Sequence, residues 1–218
     1  MDTDVFLNLF RQALNQVEEL YYGIDQRNDS ILARYDERVF CYELYHQIRS
    51  LMDKYVAKNP GSTSSIRFQG ELRKKRIDAN AAKLFDVTAL DNKYVPDFLL
   101  HSPGDFDYQS LIIEVKSARN ITFGPIKKDL MKIQEFITRY RYQMGIFLIV
   151  NNSADRIRRL LAKPSNQRWI MENLSDRSRI LFLSKENRGV NPFECYLDKE
   201  THVASLFTES VTGSYLEE

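Results

Sequence analysis

The chain has 218 residues, of which 43% are hydrophobic and 28% are charged, the composition of an ordinary globular protein long enough for one substantial core. Its 31 basic and 30 acidic side chains leave a formal net charge of +1, which excludes a strong charge-driven affinity of the whole chain for polyanions. No segment approaches the roughly 20 apolar residues of a membrane-spanning helix, and the acidic residues at the start do not fit a secretory signal.

The first part of the chain carries two helical patterns. Apolar residues recur at helical spacing over residues 4–22 and stop near Gly23, which predicts a first helix. After a polar stretch, a second apolar stripe predicts a helix over about 36–57. The sequence Asn-Pro-Gly-Ser-Thr at 59–63 is expected to end it, because proline and glycine break helices.

Three strand patterns follow the second helix. Residues 66–72 alternate between polar and apolar side chains, and residues 94–100 and 110–117 also have the character of strands. The turn sequence His-Ser-Pro-Gly-Asp at 101–105 lies between the last two. The stretch 94–117 is therefore predicted to be an antiparallel hairpin.

A strand–helix–strand unit is predicted next. Gly124-Pro125 begins a long helix with proline at its first position, and Gly145 is expected to close it. The fully apolar residues 146–150 suit a strand that is buried on both faces. Because a crossover helix joins parallel neighbours, we expect the strands 111–117 and 146–150 to be parallel.

The C-terminal part is expected to extend this sheet. A basic helix is predicted near 154–162, followed by a less regular segment around Trp169. Further strands are expected at 179–184, 193–197 and 203–207.

Together these elements predict a single α/β domain that spans residues 1–218. Its mixed β-sheet would be flanked by helices on both faces. Residues 36–150 would form the core of the domain, with a helical N-terminal addition (1–35) and a mixed C-terminal extension (151–218) packed on the core.

The predicted strand Leu-Ile-Ile-Glu-Val-Lys-Ser at 111–117 is interrupted by a carboxylate and an amine. Because successive side chains alternate along a strand, Glu114 and Lys116 share one face with Ile112. Asp97, on the preceding strand, lies across the hairpin from Glu114. A solvated ion pair is the ordinary interpretation of such a Glu-x-Lys pattern, but it does not explain the apolar Ile112 on the same face.

Two carboxylates at one end of a sheet repel each other unless a cation lies between them. Mg²⁺ takes hard oxygen ligands, keeps several waters and accepts phosphate oxygens. Asp97 and Glu114 therefore predict a magnesium site, with the main-chain carbonyl of Val115 as a third ligand. Lys116 beside it would orient a metal-bound water or stabilise charge on a phosphate, which is chemistry suited to phosphodiester hydrolysis.

Pro96-Asp97 on one predicted strand and Glu114-Val115-Lys116 on the next resemble the motif of the PD-(D/E)XK nuclease superfamily. That superfamily has the restriction-endonuclease-like fold, whose core is a helix, three strands in a meander, a crossover helix and a further strand. Residues 36–150 follow the same order. The resemblance implies a Mg²⁺-dependent nuclease, with Mn²⁺ as a substitute, in which the motif's two carboxylates bind the metal and its lysine is catalytic.

Members of this superfamily often bring a further acidic residue from the first core helix. Glu43 and Gln47 lie one turn apart on the predicted second helix, at the flank of its apolar stripe. Glu43 either assists the metal, supported by Gln47, or is a boundary residue paired with Arg38 or Gln47. Glu71, on the polar face of the strand 66–72, is the reserve candidate for the third carboxylate.

Basic residues concentrate around the predicted site in an otherwise neutral chain. Such runs are usually a solvated surface, but their concentration here favours contacts with nucleic-acid phosphates. The candidates for these contacts are Arg67, Arg73, Lys74, Lys75, Arg76, Arg119, Lys127, Lys128 and Lys132.

The expected partner is DNA, and an RNA-directed nuclease is an open alternative. A catalytically inactive nucleic-acid- or partner-binding module with the same fold is the competing hypothesis. A homodimer would be the simplest way to cut both strands of a duplex with one site per chain. Cys41 and Cys195 are far apart and have no metal-type spacing, so they favour a cytoplasmic protein with two core thiols.

Overall fold

A single mixed sheet organises the computed structural model, which describes residues 1–22, 33–60, 66–70, 95–103 and 109–197. The strands of this sheet are β1 (Arg67–Gly70), β2 (Phe98–His101), β3 (Gln109–Lys116), β4 (Met144–Val150), β5 (Ile180–Lys185) and β6 (Phe193–Tyr196), in that spatial order. β1, β2 and β3 form an antiparallel meander, β3, β4 and β5 are parallel, and β6 is antiparallel to β5.

Helices cover both faces of this sheet. They are α1 (Thr3–Gln16), α2 (Ala33–Lys58), α3 (Phe123–Arg139), α4 (Ala154–Ala162) and α5 (Pro164–Asn173). α1 and α2 share a core with Leu111, Ile113 and Val115 of β3, whereas α3, α4 and α5 share the opposite core with Ile112. Within the described residues, no helix has both the length and the apolar character needed to cross a membrane.

The predicted connections of the central strands are confirmed. β2 and β3 form the expected antiparallel hairpin, with Phe98 opposite Ile113. α3 crosses from β3 to β4, and these two strands are parallel as predicted, with Glu114 opposite Phe147. The mixed sheet with helices on both faces is also confirmed. The strand expected at 203–207 lies outside the described residues.

The first helix is shorter than predicted, because α1 ends at Gln16 and not at residue 22. Val17 is fully buried and has left the helical conformation, with ψ at 125°. This break turns the chain back, so that the Tyr22 hydroxyl donates a hydrogen bond to the main-chain oxygen of Leu14 at 2.7 Å. Tertiary packing, and not the helical periodicity, therefore sets where α1 ends.

β2 begins at Phe98, later than the predicted start at residue 94. Pro96 has no N–H with which to pair in a sheet. One of the Asp97 carboxylate oxygens, Oδ2, accepts a hydrogen bond from the Val115 N–H at 2.7 Å. A side-chain bond thus takes the place of a main-chain bond at this point, and it turns the Asp97 carboxylate towards β3.

Gly145 lies in β4 and does not close α3, contrary to the prediction. α3 begins at Phe123, before Pro125, and ends at Arg139. A Cβ atom at Gly145 would lie 2.1 Å from Cγ2 of Ile133, because α3 crosses β4 at this point. The glycine therefore permits a close approach of helix and sheet.

Gly145→Ala is expected to lower the free energy of unfolding by about 2–3 kcal/mol, because the β-branched Ile133 side chain has little freedom to move away from the added methyl group. Urea unfolding followed by circular dichroism measures the effect. Gly124→Ala in α3 is the matched control, since an added methyl group there meets no non-neighbouring atom of the described chain within 4 Å. Equal responses of the two variants would contradict the packing role of Gly145.

Candidate functional site

Asp97, Glu114 and Lys116 come together where β3 extends past the start of β2. Asp97 is tied to β3 through its hydrogen bond to the Val115 N–H. Glu114 is only 1% exposed and points towards α3. Lys116, the last residue of β3, lies between α2 and α3, because it pairs with one carboxylate from each.

Five charged side chains at this point form a chain in which the sign of charge alternates. Glu114 Oε2 lies 2.5 Å from Lys132 Nζ, which lies 3.4 Å from Asp129 Oδ1. Asp129 Oδ2 lies 3.3 Å from Lys116 Nζ, which in turn lies 3.2 Å from Glu37 Oε1. We refer to these five side chains together with Asp97 as the carboxylate–lysine cluster.

α3 contributes Asp129 and Lys132 to the cluster, and sequence reasoning had assigned neither to the metal site. Lys132 was expected to contact nucleic-acid phosphates, but its side chain is only 13% exposed and is paired with Glu114. Asp129 is 4% exposed and falls between Ile126 and Ile133, on the apolar stripe of α3. A carboxylate within an apolar stripe is costly unless it is paired, and this pattern is the sequence signal that could have identified it.

α2 contributes Glu37 to the cluster. Besides its contact with Lys116, the Glu37 carboxylate accepts a hydrogen bond from the Ser117 N–H at 3.3 Å. Glu43 accepts a hydrogen bond from the Gln47 side-chain amide at 2.6 Å, the arrangement expected of a boundary residue. At about 100° per residue, Glu37 and Glu43 point in directions about 120° apart. The two side chains therefore lie on different sides of α2, and it is Glu37 that contacts Lys116 of the cluster.

The two carboxyl groups of the predicted motif are costly to ionise in this setting. Burial raises the pKa of Asp97 to about 6, although the hydrogen bond from Val115 and the charge of Lys116 oppose the rise. Burial and then the Asp97 charge raise the pKa of Glu114 well above its ordinary value, against the effect of Lys132. A nearby cation would favour the charged form of both groups.

The two lysines of the cluster are held as cations. Burial disfavours the charged form of Lys116, but Asp129 and Glu37 outweigh it and hold its pKa above the ordinary value. Glu114 and Asp129 do the same for the pKa of Lys132. Four carboxylates thus face two ammonium groups, and the fully ionised cluster carries two uncompensated negative charges.

The donor set of the cluster fits a hard divalent cation. Glu114 Oε1 is buried without a hydrogen-bond partner in the described structure. The N–H and C=O of one residue in an extended strand point to the same side, so the Val115 carbonyl faces the same side of β3 as Asp97. Across the described ranges, no group of three or more His, Cys, Asp or Glu side chains is arranged to hold a metal. Mg²⁺, which often takes only one or two carboxylates and keeps several waters, would be held by Asp97 and Glu114 with main-chain and water oxygens.

A cavity of about 530 Å³ gives access to Asp97. It lies between α2 and the first strands of the sheet, and Glu37, Cys41 and Tyr42 form part of its wall. Tyr42 is 59% exposed. The volume is within the range of small-molecule pockets, and the Asp97 carboxylate is part of its wall.

Some of the residues predicted to contact phosphates lie in the described part of the chain, and the others do not. Arg67, Arg119 and Lys128 are exposed, while the Lys127 ammonium lies 5.2 Å from the ring centroid of Trp169 in a cation–π contact. The reserve carboxylate and the remaining basic candidates lie outside the described residues; these are Glu71, Arg73, Lys74, Lys75 and Arg76.

The comparisons with known proteins identify no relative of this chain. The chain matches no protein-family model, and neither curated proteins nor solved structures give a significant match. Function must therefore be inferred from the chemistry of the carboxylate–lysine cluster.

Proposed function

We propose that the protein is a metal-dependent nuclease of the PD-(D/E)XK type, with a restriction-endonuclease-like fold, that hydrolyses phosphodiester bonds of DNA. The observation that carries the proposal is the pair formed by the half-buried Asp97 and the buried Glu114 beside Lys116. The pair belongs to a cluster with two uncompensated negative charges, and Asp97 borders a cavity. A divalent cation is the simplest ligand that would neutralise such a cluster.

In this proposal the two carboxylates of the pair bind the metal, and Lys116 has a separate role. Asp97 and Glu114 bind Mg²⁺, or Mn²⁺ in its place, and the bound ion supplies an activated water and a positive charge for the phosphate. Lys116 is held by Glu37 and Asp129 as a cation. Its ammonium group orients the attacking water and stabilises the charge that develops on the phosphate.

DNA is the proposed substrate because exposed cations lie on elements around the cluster. Arg67 is on β1, Arg119 follows β3, and Lys128 is on α3 one residue before Asp129. Cations at such positions neutralise backbone phosphates and carry no base specificity. A homodimer would place two such sites on one duplex, and the cytoplasm is the proposed location.

Incubation of the protein with supercoiled plasmid or with single-stranded RNA tests the proposal. We expect plasmid cleavage with Mg²⁺ or Mn²⁺ and none with EDTA, and we expect Asp97→Ala to abolish cleavage by removing one of two metal-binding carboxylates. Cleavage of RNA but not of the plasmid would mean that the substrate is RNA and not DNA. No cleavage of either substrate in either metal, or full activity of Asp97→Ala, would overturn the assignment.

A second candidate function is a binding module that keeps this fold without turnover. The observation that favours it is the closed pairing of the cluster, in which Lys132 already neutralises Glu114 and Lys116 lies between two carboxylates. In that case the protein would bind nucleic acid equally well with EDTA and with Mg²⁺. Binding without cleavage in an electrophoretic mobility assay would identify this function.

A further inference from the structure

The two oxygens of the Glu114 carboxylate have different environments. Oε2 is 2.5 Å from the Lys132 ammonium, which donates a charge-assisted hydrogen bond to it. Oε1 is buried and has no hydrogen-bond partner among the described residues. A buried carboxylate oxygen without a partner is unusual, and here it identifies the one oxygen of Glu114 that is available to a further ligand.

We propose that Lys132 is a positioning residue for the metal site, which holds Glu114 by Oε2 and so presents Oε1 to the cation. This inference rests on the proposed metal-dependent function and adds a residue that the sequence motif does not contain. Asp129 supports it, because the Asp129 carboxylate contacts Lys132 through Oδ1 and Lys116 through Oδ2. One side chain of α3 thus sets the relative position of both lysines.

Lys132 stays on Glu114 when the metal binds. Glu114 is 1% exposed, so water cannot take the place of the ammonium group at Oε2. A metal that displaced Lys132 would leave either this oxygen or the buried ammonium without a partner, which costs free energy. The geometry therefore assigns Lys132 the role of an outer-shell partner, a class of residue whose removal commonly weakens metal binding by about 10-fold to 100-fold.

Isothermal titration of the metal-free protein with Mg²⁺, and separately with Mn²⁺, tests this role without relying on cleavage. We expect the dissociation constant to rise by about 10-fold to 100-fold in Lys132→Met. Lys132→Arg, which keeps the cation, should recover most of the affinity. If Lys132→Met does not fold, Lys132→Gln supplies the same comparison, because the amide can still donate to Oε2 but carries no charge.

Arg11→Met is the control for a loss of stability without a loss of metal affinity. It removes an ion pair with Glu194 of β6 (Arg11 Nη2 to Glu194 Oε2, 2.8 Å), three strands away from β3 in the sheet. Equal metal affinity in wild type and Lys132→Met would overturn the positioning role. Tighter binding in Lys132→Met would also overturn it, because it would mean that Lys132 competes with the metal. No metal binding by the wild type would overturn the proposed function itself, and the positioning role with it.

Discussion

The Asp97→Asn protein is expected to be more stable than the wild type at pH 7.5 in EDTA, and Mg²⁺ is expected to add nothing to its stability. Asp97 is held in a half-buried position beside Glu114, where its negative charge is unfavourable. Asparagine removes the charge, and its side-chain oxygen can still accept the hydrogen bond from the Val115 N–H. The variant therefore loses a proposed metal ligand and keeps the contact that orders the start of β2.

The sign of the pH dependence follows from the direction of the pKa shift. The folded state holds the Asp97 proton up to a pKa of about 6, whereas an exposed aspartate releases it near 3.8. Between these values the folded state binds more protons than the unfolded state, so stability falls as the pH rises. The difference between these two pKa values corresponds to roughly 3 kcal/mol, and the raised pKa of Glu114 extends the fall to higher pH.

Urea unfolding at pH 4 and at pH 7.5, each with EDTA and with Mg²⁺, measures these effects. The advantage of Asp97→Asn over the wild type should be up to about 3 kcal/mol at pH 7.5 and should shrink towards zero at pH 4. Mg²⁺ at about 100 times its dissociation constant should stabilise the wild type by about 2.7 kcal/mol and should leave the stability of Asp97→Asn unchanged.

Asp53→Asn is the control for this series, because Asp53 lies on the exposed part of α2 and, within the described part of the chain, makes only a surface ion pair with Arg49. Its stability should follow that of the wild type at both pH values, and Mg²⁺ should stabilise it equally. A large loss of stability in Asp97→Asn at pH 7.5 would show that Asp97 is half of a structural ion pair, and would contradict a role in metal binding.

The residues that sequence reasoning brought together are those joined by local rules. Glu114 and Lys116 are two positions apart on one strand, so alternation alone puts them on the same side. Asp97 reaches them because β2 and β3 are adjacent antiparallel strands, and both the hairpin and its direction could be predicted. Strand periodicity and turn chemistry therefore suffice for this part of the site.

The remaining members of the cluster depend on how whole helices pack, which the sequence does not specify. Glu37 and Glu43 are both glutamates of α2 in comparable sequence contexts, and only the rotation of α2 against the sheet selects Glu37. Lys132 resembles its exposed neighbour Lys128 in sequence, yet α3 is turned so that Lys132 meets Glu114. Asp129 was visible in principle, as a carboxylate within an apolar stripe, because such a residue must find a buried partner.

Gly145 shows that the fold, too, could be predicted from local patterns only in part. A glycine after an amphipathic helix commonly ends it, and this rule misplaced Gly145, which is required for contact with Ile133 across the α3–β4 interface. The end of α1 was missed for a related reason, since Val17 leaves the helix so that Tyr22 can reach Leu14. In both cases a long-range contact overrides a local pattern.

Lys116→Met is expected to lower the rate of DNA cleavage by on the order of 10²-fold to 10³-fold, without weakening Mg²⁺ binding. The lysine contacts Glu37 and Asp129 and makes no described ion pair with Asp97 or Glu114. Its removal therefore leaves both proposed metal-binding carboxylates in place and removes one positive charge from the surroundings of the metal ion. The Mg²⁺ dissociation constant should be unchanged or lower.

Cleavage rates at saturating Mg²⁺ and titration calorimetry on the same preparations separate the two effects. Lys54→Met, which removes an exposed lysine from α2, is the control and should match the wild type in both measurements. Undiminished cleavage by Lys116→Met would reduce Lys116 to a structural ion pair. The contrast with Lys132 is the stronger test, since the two lysines share Asp129 as a partner. If Lys116→Met loses cleavage rate and keeps metal affinity while Lys132→Met loses metal affinity, the cluster is a catalytic site in which the two lysines have different roles. If both variants lose only stability, the cluster is a structural network.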